Sequence, residues 1–167
     1  LDMGLSDDEL PELVKAWRKA NPHIVRFWYD VEAAAIEALR YKKPVGLQYG
    51  LKFIPESGIL FLRLPSGRRL AYVRPKIEID ERFGKDGMTY ESDGKRVKTY
   101  GGKLVENIVQ AVARDCLAEA LRRLDERGYT IVAHVHDEIV AEGDQDIKEM
   151  ESIMSEPMPW APGLPLR

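Results

Sequence analysis

Asp137 stands at the centre of the run Ile131-Val132-Ala133-His134-Val135-His136-Asp137-Glu138-Ile139-Val140. Apolar residues on both sides predict two buried strands that present the acidic turn His136-Asp137-Glu138 at their tip. A carboxylate held there is suited to keeping a divalent cation against a phosphate. Phosphoryl transfer through two metals needs hard oxygen ligands that hold the ions about 3.5–4 Å apart. One aspartate cannot build such a site, so a partner acid must come from elsewhere. Glu138, the next residue, is directed differently and takes a supporting role. The plain alternative is a polar turn joining two strands.

Two other sets of residues could carry chemistry. His134 and His136, at i and i+2 beside Asp137, fall on one side of a strand and could ligate zinc or another transition metal. Cys116 and His23, the other soft ligands, are distant in sequence. On the long helical pattern that precedes the acidic turn, Leu104, Val105, Ile108, Val109, Val112 and Cys116 form an apolar stripe. Lys103, Asn107, Gln110 and Arg114 fall within a narrow sector opposite it. A row of donors on one exposed face could read a minor groove, whose base edges are mainly acceptors; an ordinary solvated helix face has the same pattern. Arg68 and Arg69, in Gly67-Arg68-Arg69-Leu70 at a turn-to-strand junction, could hold phosphates or pair with a nearby acid.

The elements that must position these residues are legible in outline. Residues 6 to 41 read as two helices. The first opens on a capping box, Ser6 with Glu9, among the acids Asp7-Asp8-Glu9, and carries Leu10, Leu13, Val14 and Trp17 at helical spacing. Asn21 and Pro22 then act as cap and first residue of the second, whose apolar face is Ile24, Phe27, Trp28, Val31, Ala35 and Leu39. From Pro44 to about Gly101 the pattern is strands and turns, with β-rich runs at Leu47-Gln48-Tyr49, Phe53-Ile54, Ile59-Leu60-Phe61-Leu62 and Leu70-Ala71-Tyr72-Val73. Asp86-Gly87 and Asp93-Gly94 are tight-turn signals, the second predicting a hairpin. A helix from about Lys103 to Arg127 is ended by Gly128. A strand–turn–strand over 129–141 and a helix from about Gln145 to Met154 follow. The tail around Pro157, Pro159 and Pro162 has too much proline for regular structure. The organisation expected is 1–43 as a two-helix segment, 44–101 as β-rich hairpins, and 102–167 as the long helix with the acidic turn and a last helix.

At 167 residues and 44% hydrophobic, the chain can bury one sizeable core. No apolar run approaches the roughly 20 residues of a membrane span, and the start, Leu1-Asp2-Met3-Gly4, lacks the features of a signal peptide. The single cysteine, Cys116, excludes a disulfide framework; a reducing cytoplasm is the expected setting. The net charge of −3 argues mildly against nucleic-acid binding. Its distribution does not, because Arg63, Arg68, Arg69, Arg74 and Lys76 cluster, as do Lys95, Arg96, Lys98 and Lys103, apart from the acids at 7–9 and 142–156.

In order along the chain, three motifs resemble the C-terminal part of a family A (polymerase I-like) DNA polymerase. Gly67-Arg68-Arg69-Leu70 is similar to that family's Gly-Arg-Arg segment. Gln110-Ala111-Val112-Ala113-Arg114-Asp115 resembles its Gln-Gly-Thr-Ala-Ala-Asp helix, and Val135-His136-Asp137-Glu138 matches its metal-binding turn. The wording from Thr99 to Gln110 is similar to the phage and prophage branch. The resemblance implies an α+β fold: part of a polymerase palm, a small antiparallel sheet with flanking helices. It implies DNA replication chemistry, with a primer 3′-hydroxyl attacking the α-phosphorus of a dNTP and two Mg2+ ions assisting. Asp137 would be one of two metal-binding catalytic aspartates, with Glu138 beside it. His136 would lie near the primer terminus, Gln110 would face the minor groove, and Arg68 and Arg69 would touch DNA backbone or support the palm.

The departures have consequences. The chain has no Asp-Tyr-Ser-type segment with a following Glu-Ala-Arg, which carries the family's other catalytic aspartate. It also has no Lys-x-x-x-x-x-x-Tyr-Gly helix for the incoming nucleotide. Ala111 and Val112 stand where the family has Gly and Thr, and the chain stops at Pro165-Leu166-Arg167, before the family's usual end. The resemblance therefore implies a fragment whose partners are primer-template DNA, dNTP and the missing N-terminal fingers, thumb and rest of the palm, with no membrane and no activity in isolation. Two rivals stand beside it: a nucleic-acid-binding module without chemistry, and a small metal-dependent hydrolase using His134, His136 and Asp137.

Overall fold

A computed structural model describes residues 10–80, 84–144 and 146–166. The order of elements is α1 (Leu10–Ala20), α2 (Pro22–Tyr41), β1 (Val45–Gly46), β2 (Lys52–Glu56), β3 (Ile59–Arg63), β4 (Arg69–Asp80), β5 (Lys85–Ser92), β6 (Lys95–Thr99), α3 (Gly101–Glu126), β7 (Thr130–Val135), β8 (Glu138–Glu142) and α4 (Ile147–Met154). Strands β1 to β6 form one antiparallel sheet in chain order, and β7 pairs with β8 in a second. The fold is α+β, as expected, with a larger sheet than the sequence suggested. No described helix is long and apolar enough to cross a membrane. The capping box at Ser6 and Glu9, the acids Asp7 and Asp8, and Gln145 lie outside the described residues.

The larger core is a helix layer on one sheet face. Val31, Ala34, Ala35 and Ala38 of α2 and Leu104, Val105, Ile108 and Ala111 of α3 pack with Phe53, Leu60, Leu62, Tyr72 and Met88 of the sheet. Small residues on α2 let the two helices approach closely. At Gly101 the approach is closest: a Cβ there would stand 2.0 Å from the backbone oxygen of Trp28. Only glycine can begin α3 against α2 in this way. A second, smaller core holds Leu124 of α3, Tyr129 and Ile153 of α4, flanked by Ile131, Ile139, Met150 and Met154.

Helix ends follow the sequence closely. Pro22 is at the start of α2, where its missing N–H costs nothing. Gly128 leaves α3 with φ of +84°, the left-handed step that glycine takes without strain. Asn21 does not cap α2 as expected: its side-chain amide donates to the carbonyl of Trp17, closing α1 instead. The cap that the sequence reading overlooked is Asp146, whose carboxylate accepts the backbone N–H of Lys148 at 2.9 Å to open α4.

Five other expectations are corrected. Leu47-Gln48-Tyr49 is not strand: a 3-10 turn covers Gln48–Gly50, with Tyr49 at φ of +59°. Asp86-Gly87 lies inside β5 rather than at a turn. The apolar face of α1 is not buried; Leu10, Leu13, Val14 and Trp17 are all substantially exposed, though Trp17 stacks on Trp28 at 5.7 Å. On α3 the buried stripe runs through Ala111 rather than Val109, which is exposed. The strands around Asp137 are not buried on both sides. Val132 (54%), Val135 (53%) and Val140 (46%) are open, and only Ile131, Ala141 and Ile139 turn toward the core. Here the apolar run misled because alternate residues of a strand face opposite ways, and α3 and α4 cover one face alone.

Candidate nucleic-acid interface and acidic turn

Three of the four expected donors of α3, Asn107, Gln110 and Arg114, line a groove between that helix and the sheet. Arg68, Tyr72, Tyr90, Asn107, Gln110 and Arg114 line it, enclosing about 480 Å³. Register explains the sheet's contribution: Leu70 and Tyr72 are alternate residues of β4 on the helix-facing side, and Tyr90 of β5 meets Tyr72 edge to face at 5.1 Å. Asn107 donates to the Tyr72 hydroxyl at 3.3 Å. Burial pushes the Tyr72 phenol above its usual range, with the bond from Asn107 opposing and Tyr90 adding a little. Tyr72 therefore stays neutral and stays a donor. Asn107 itself is half-buried, spent partly on holding the groove's wall.

Arg68 is locked into this arrangement. Its guanidinium donates to the carboxylate of Asp115 and, at 2.8 Å, to the carbonyl of Ala111. Ser66 donates to the same carboxylate, which is almost wholly buried. The turn bearing Gly67-Arg68 is thus tied to the middle of α3, one motif to the other. Gly67, at φ of +89°, supplies the bend that brings Arg68 across.

The other donors divide. Gln110 and Arg114 are exposed at the groove's edge, Gln110 within 3.5 Å of Glu106. Lys103 lies a turn nearer the start of α3 and donates to both oxygens of Glu106 at 2.9 Å, a pairing that raises its pKa. Arg69 leaves the groove altogether. As the first residue of β4 it points to the opposite sheet face, paired with Glu56 at 3.2 Å and lying 5.4 Å over the Phe61 ring. Arg68, in the turn before the strand, reaches to α3, whereas Arg69 follows the alternation of β4.

Asp137 is exposed at the tip of the β7–β8 hairpin, in a two-residue loop whose flanks, Val135 and Glu138, are paired. It borders a separate cleft of about 880 Å³ whose walls include Val109, Ala113 and Cys116 of α3 and Lys148 and Glu151 of α4. At about 100° per residue, that wall and the Asn107–Gln110–Arg114 row lie about 125° apart around α3. Asp137 and the donor groove therefore flank the same helix on different sides. The thiol of Cys116, facing Asp137's cleft, is raised by burial first and by Asp115 second.

His136 occupies the turn at φ of +53°, and is not a strand residue. Strand alternation therefore does not carry over from His134, and the geometric basis for a paired-histidine zinc site is lost. No three of the His, Cys, Asp and Glu side chains converge to hold a metal ion among the described residues. Asp137 offers a hard oxygen suited to magnesium, but these residues alone do not make a complete two-ion site. Tyr72 and Tyr90 line the groove, and Ser66 and Asp115 anchor Arg68 beside it; site reasoning from sequence missed these roles. The strand alternation of Leu70 and Tyr72 was the visible signal for Tyr72.

The chain is 64% identical, over 174 aligned residues that cover 99% of its length, to the DNA polymerase of Bacillus phage SP02. It spans 27% of the length of that protein. No protein-family profile matches the chain, and no solved structure matches it.

Proposed function

We propose that the chain is the palm-derived segment of a phage-type, family A DNA polymerase, contributing to template-directed DNA synthesis. The observation that carries this reading is the 64% identity, along essentially the whole chain, to part of a protein named as a DNA polymerase. The motif order supports it, and so does the groove that gathers Arg68, Asn107, Gln110 and Arg114 beside two tyrosines. The substrates would be primer-template DNA and deoxynucleoside triphosphates, in the cytoplasm of a bacterial or phage-infected cell.

In this reading the groove meets the minor-groove edge of the duplex. Gln110, Asn107 and the Tyr72 hydroxyl offer donors to acceptor-rich base edges, and Arg114 offers a charge to the neighbouring phosphate. Asp137, with His136 and Glu138 at its sides, presents a carboxylate near the reacting end of the primer. Magnesium, when bound, would supply charge neutralisation at the transferring phosphate. Because the described residues bring only part of a metal site, the second acid comes from the remaining length of the polymerase. The isolated chain extends no primer.

The test exploits the likeness. The chain is exchanged for the corresponding 27% of the Bacillus phage SP02 polymerase, and primer extension is measured in the folded chimera. Extension is expected, with loss of at least three orders of magnitude in Asp137→Asn. A folded but inactive chimera would refute the functional reading. Full activity in Asp137→Asn would remove Asp137 from the chemistry and leave a binding module, a role the groove could serve without that residue.

A further inference from the structure

The outer face of the six-stranded sheet bears an arrangement of charge that folding does not explain. Register places Lys52 of β2, Arg63 of β3 and Arg69 of β4 directly side by side. A second row crosses β4, β5 and β6 as Lys76, Thr89 and Lys98. Alternation puts both rows on the face away from α2 and α3, together with Arg96, which pairs with Glu91. Arg74, in the bulge of β4, adds another cation by its own pairing with Glu91. Among the described side chains assigned to this face, the acids are Glu56, Glu78 and Glu91 against seven basic residues, in a chain whose net charge is −3.

Like charges directly opposite one another across strands are destabilising. An alternation of Lys with Glu would favour the sheet and solubility equally well. Lys52, Arg63, Lys76 and Lys98 have no ion-pair partner among the described residues, and the last three are exposed. The two rows stand about 20 Å apart along the strands, at roughly 3.3 Å per residue. That is the rise of about six base pairs at 3.4 Å each.

We propose that this face binds the phosphate backbone of double-stranded DNA, as a second contact separate from the α3 groove. A duplex fits better than a single strand because single-strand binding relies on exposed aromatic platforms. The one aromatic residue placed on this face among the described strand residues, Phe61, lies beneath the guanidinium of Arg69. The contact is read from charge and register. It extends the polymerase reading above by giving the β-rich segment a duplex to hold, and it needs neither metal nor nucleotide.

The experiment measures binding of the 167-residue chain to a labelled 20-base-pair duplex, in EDTA and without nucleotides, across a salt series. In Arg63→Thr/Lys76→Thr/Lys98→Thr, the slope of log affinity against log salt is expected to fall by about 2.7, at about 0.9 per phosphate contact. Affinity at low salt should fall at least tenfold, while the melting temperature holds or rises as like charges are removed. Lys76→Arg/Lys98→Arg should retain native binding. An unchanged slope in the threonine variant, or no duplex binding by the native chain, would overturn the proposal. So would polyglutamate competing as well as duplex at equal charge, which would indicate an acidic protein partner. Primer extension is not read here, so failure of the catalytic assignment and failure of this surface are separable.

Discussion

The two sheets of this protein differ in what covers them. The six-stranded sheet has one face sealed by α2 and α3, with Phe53, Leu60 and Leu62 fully buried. The β7–β8 hairpin has a small cluster around Leu124, Tyr129 and Ile153, and valines open to solvent. Yet the hairpin carries Asp137, while the thick region carries the donor groove. Burial is thus concentrated beside the donor groove. The acidic turn stands on the lighter element.

The sharpest way to break this comparison is to hollow each core in turn. Phe53→Ala should cost about 3–5 kcal/mol, since a fully buried ring leaves a cavity that neighbours only partly fill. Denaturant unfolding would report it as loss of the whole fold. A cost below about 1 kcal/mol would mean that the larger core is not the stabilising unit. Ile153→Ala should cost about 2 kcal/mol or somewhat more, and much of it locally. Hydrogen exchange should quicken in β7 and β8 while amides of β2 to β4 keep their protection. Equal acceleration in both sheets would show one cooperative unit. The smallest effect concerns the turn itself. His136→Gly relieves a left-handed residue and should raise stability by about 0.5–1 kcal/mol, read as a higher melting temperature. A decrease would show that the imidazole holds the turn through contacts of its own.

Much of this fold was legible because local chemistry decided it. Pro22 and Gly128 mark helix boundaries that the structure repeats, and Asp93-Gly94 turns the β5–β6 hairpin as its dipeptide predicts. What escaped was decided at a distance. Asp86-Gly87 has turn chemistry but is held in β5 by pairing with Ile79 and Glu78. Asn21 could have capped either helix, and only the folded geometry makes it close α1. At the candidate site, helical spacing foretold that Asn107, Gln110 and Arg114 share a side. It could not foretell that Arg68 joins them through Asp115, because those residues lie 47 positions apart. Nor could it separate Arg69 from Arg68, since that depends on where β4 begins.

The contact at Gly101 has a mechanical consequence. With a backbone oxygen of α2 occupying the place a side chain would take, α3 has no clearance there for any residue but glycine. Trp28 thus touches both neighbours of α2: its backbone faces Gly101 at the start of α3, and its ring stacks on Trp17 of α1 at 5.7 Å. One residue near the start of α2 fixes the spacing of three helices.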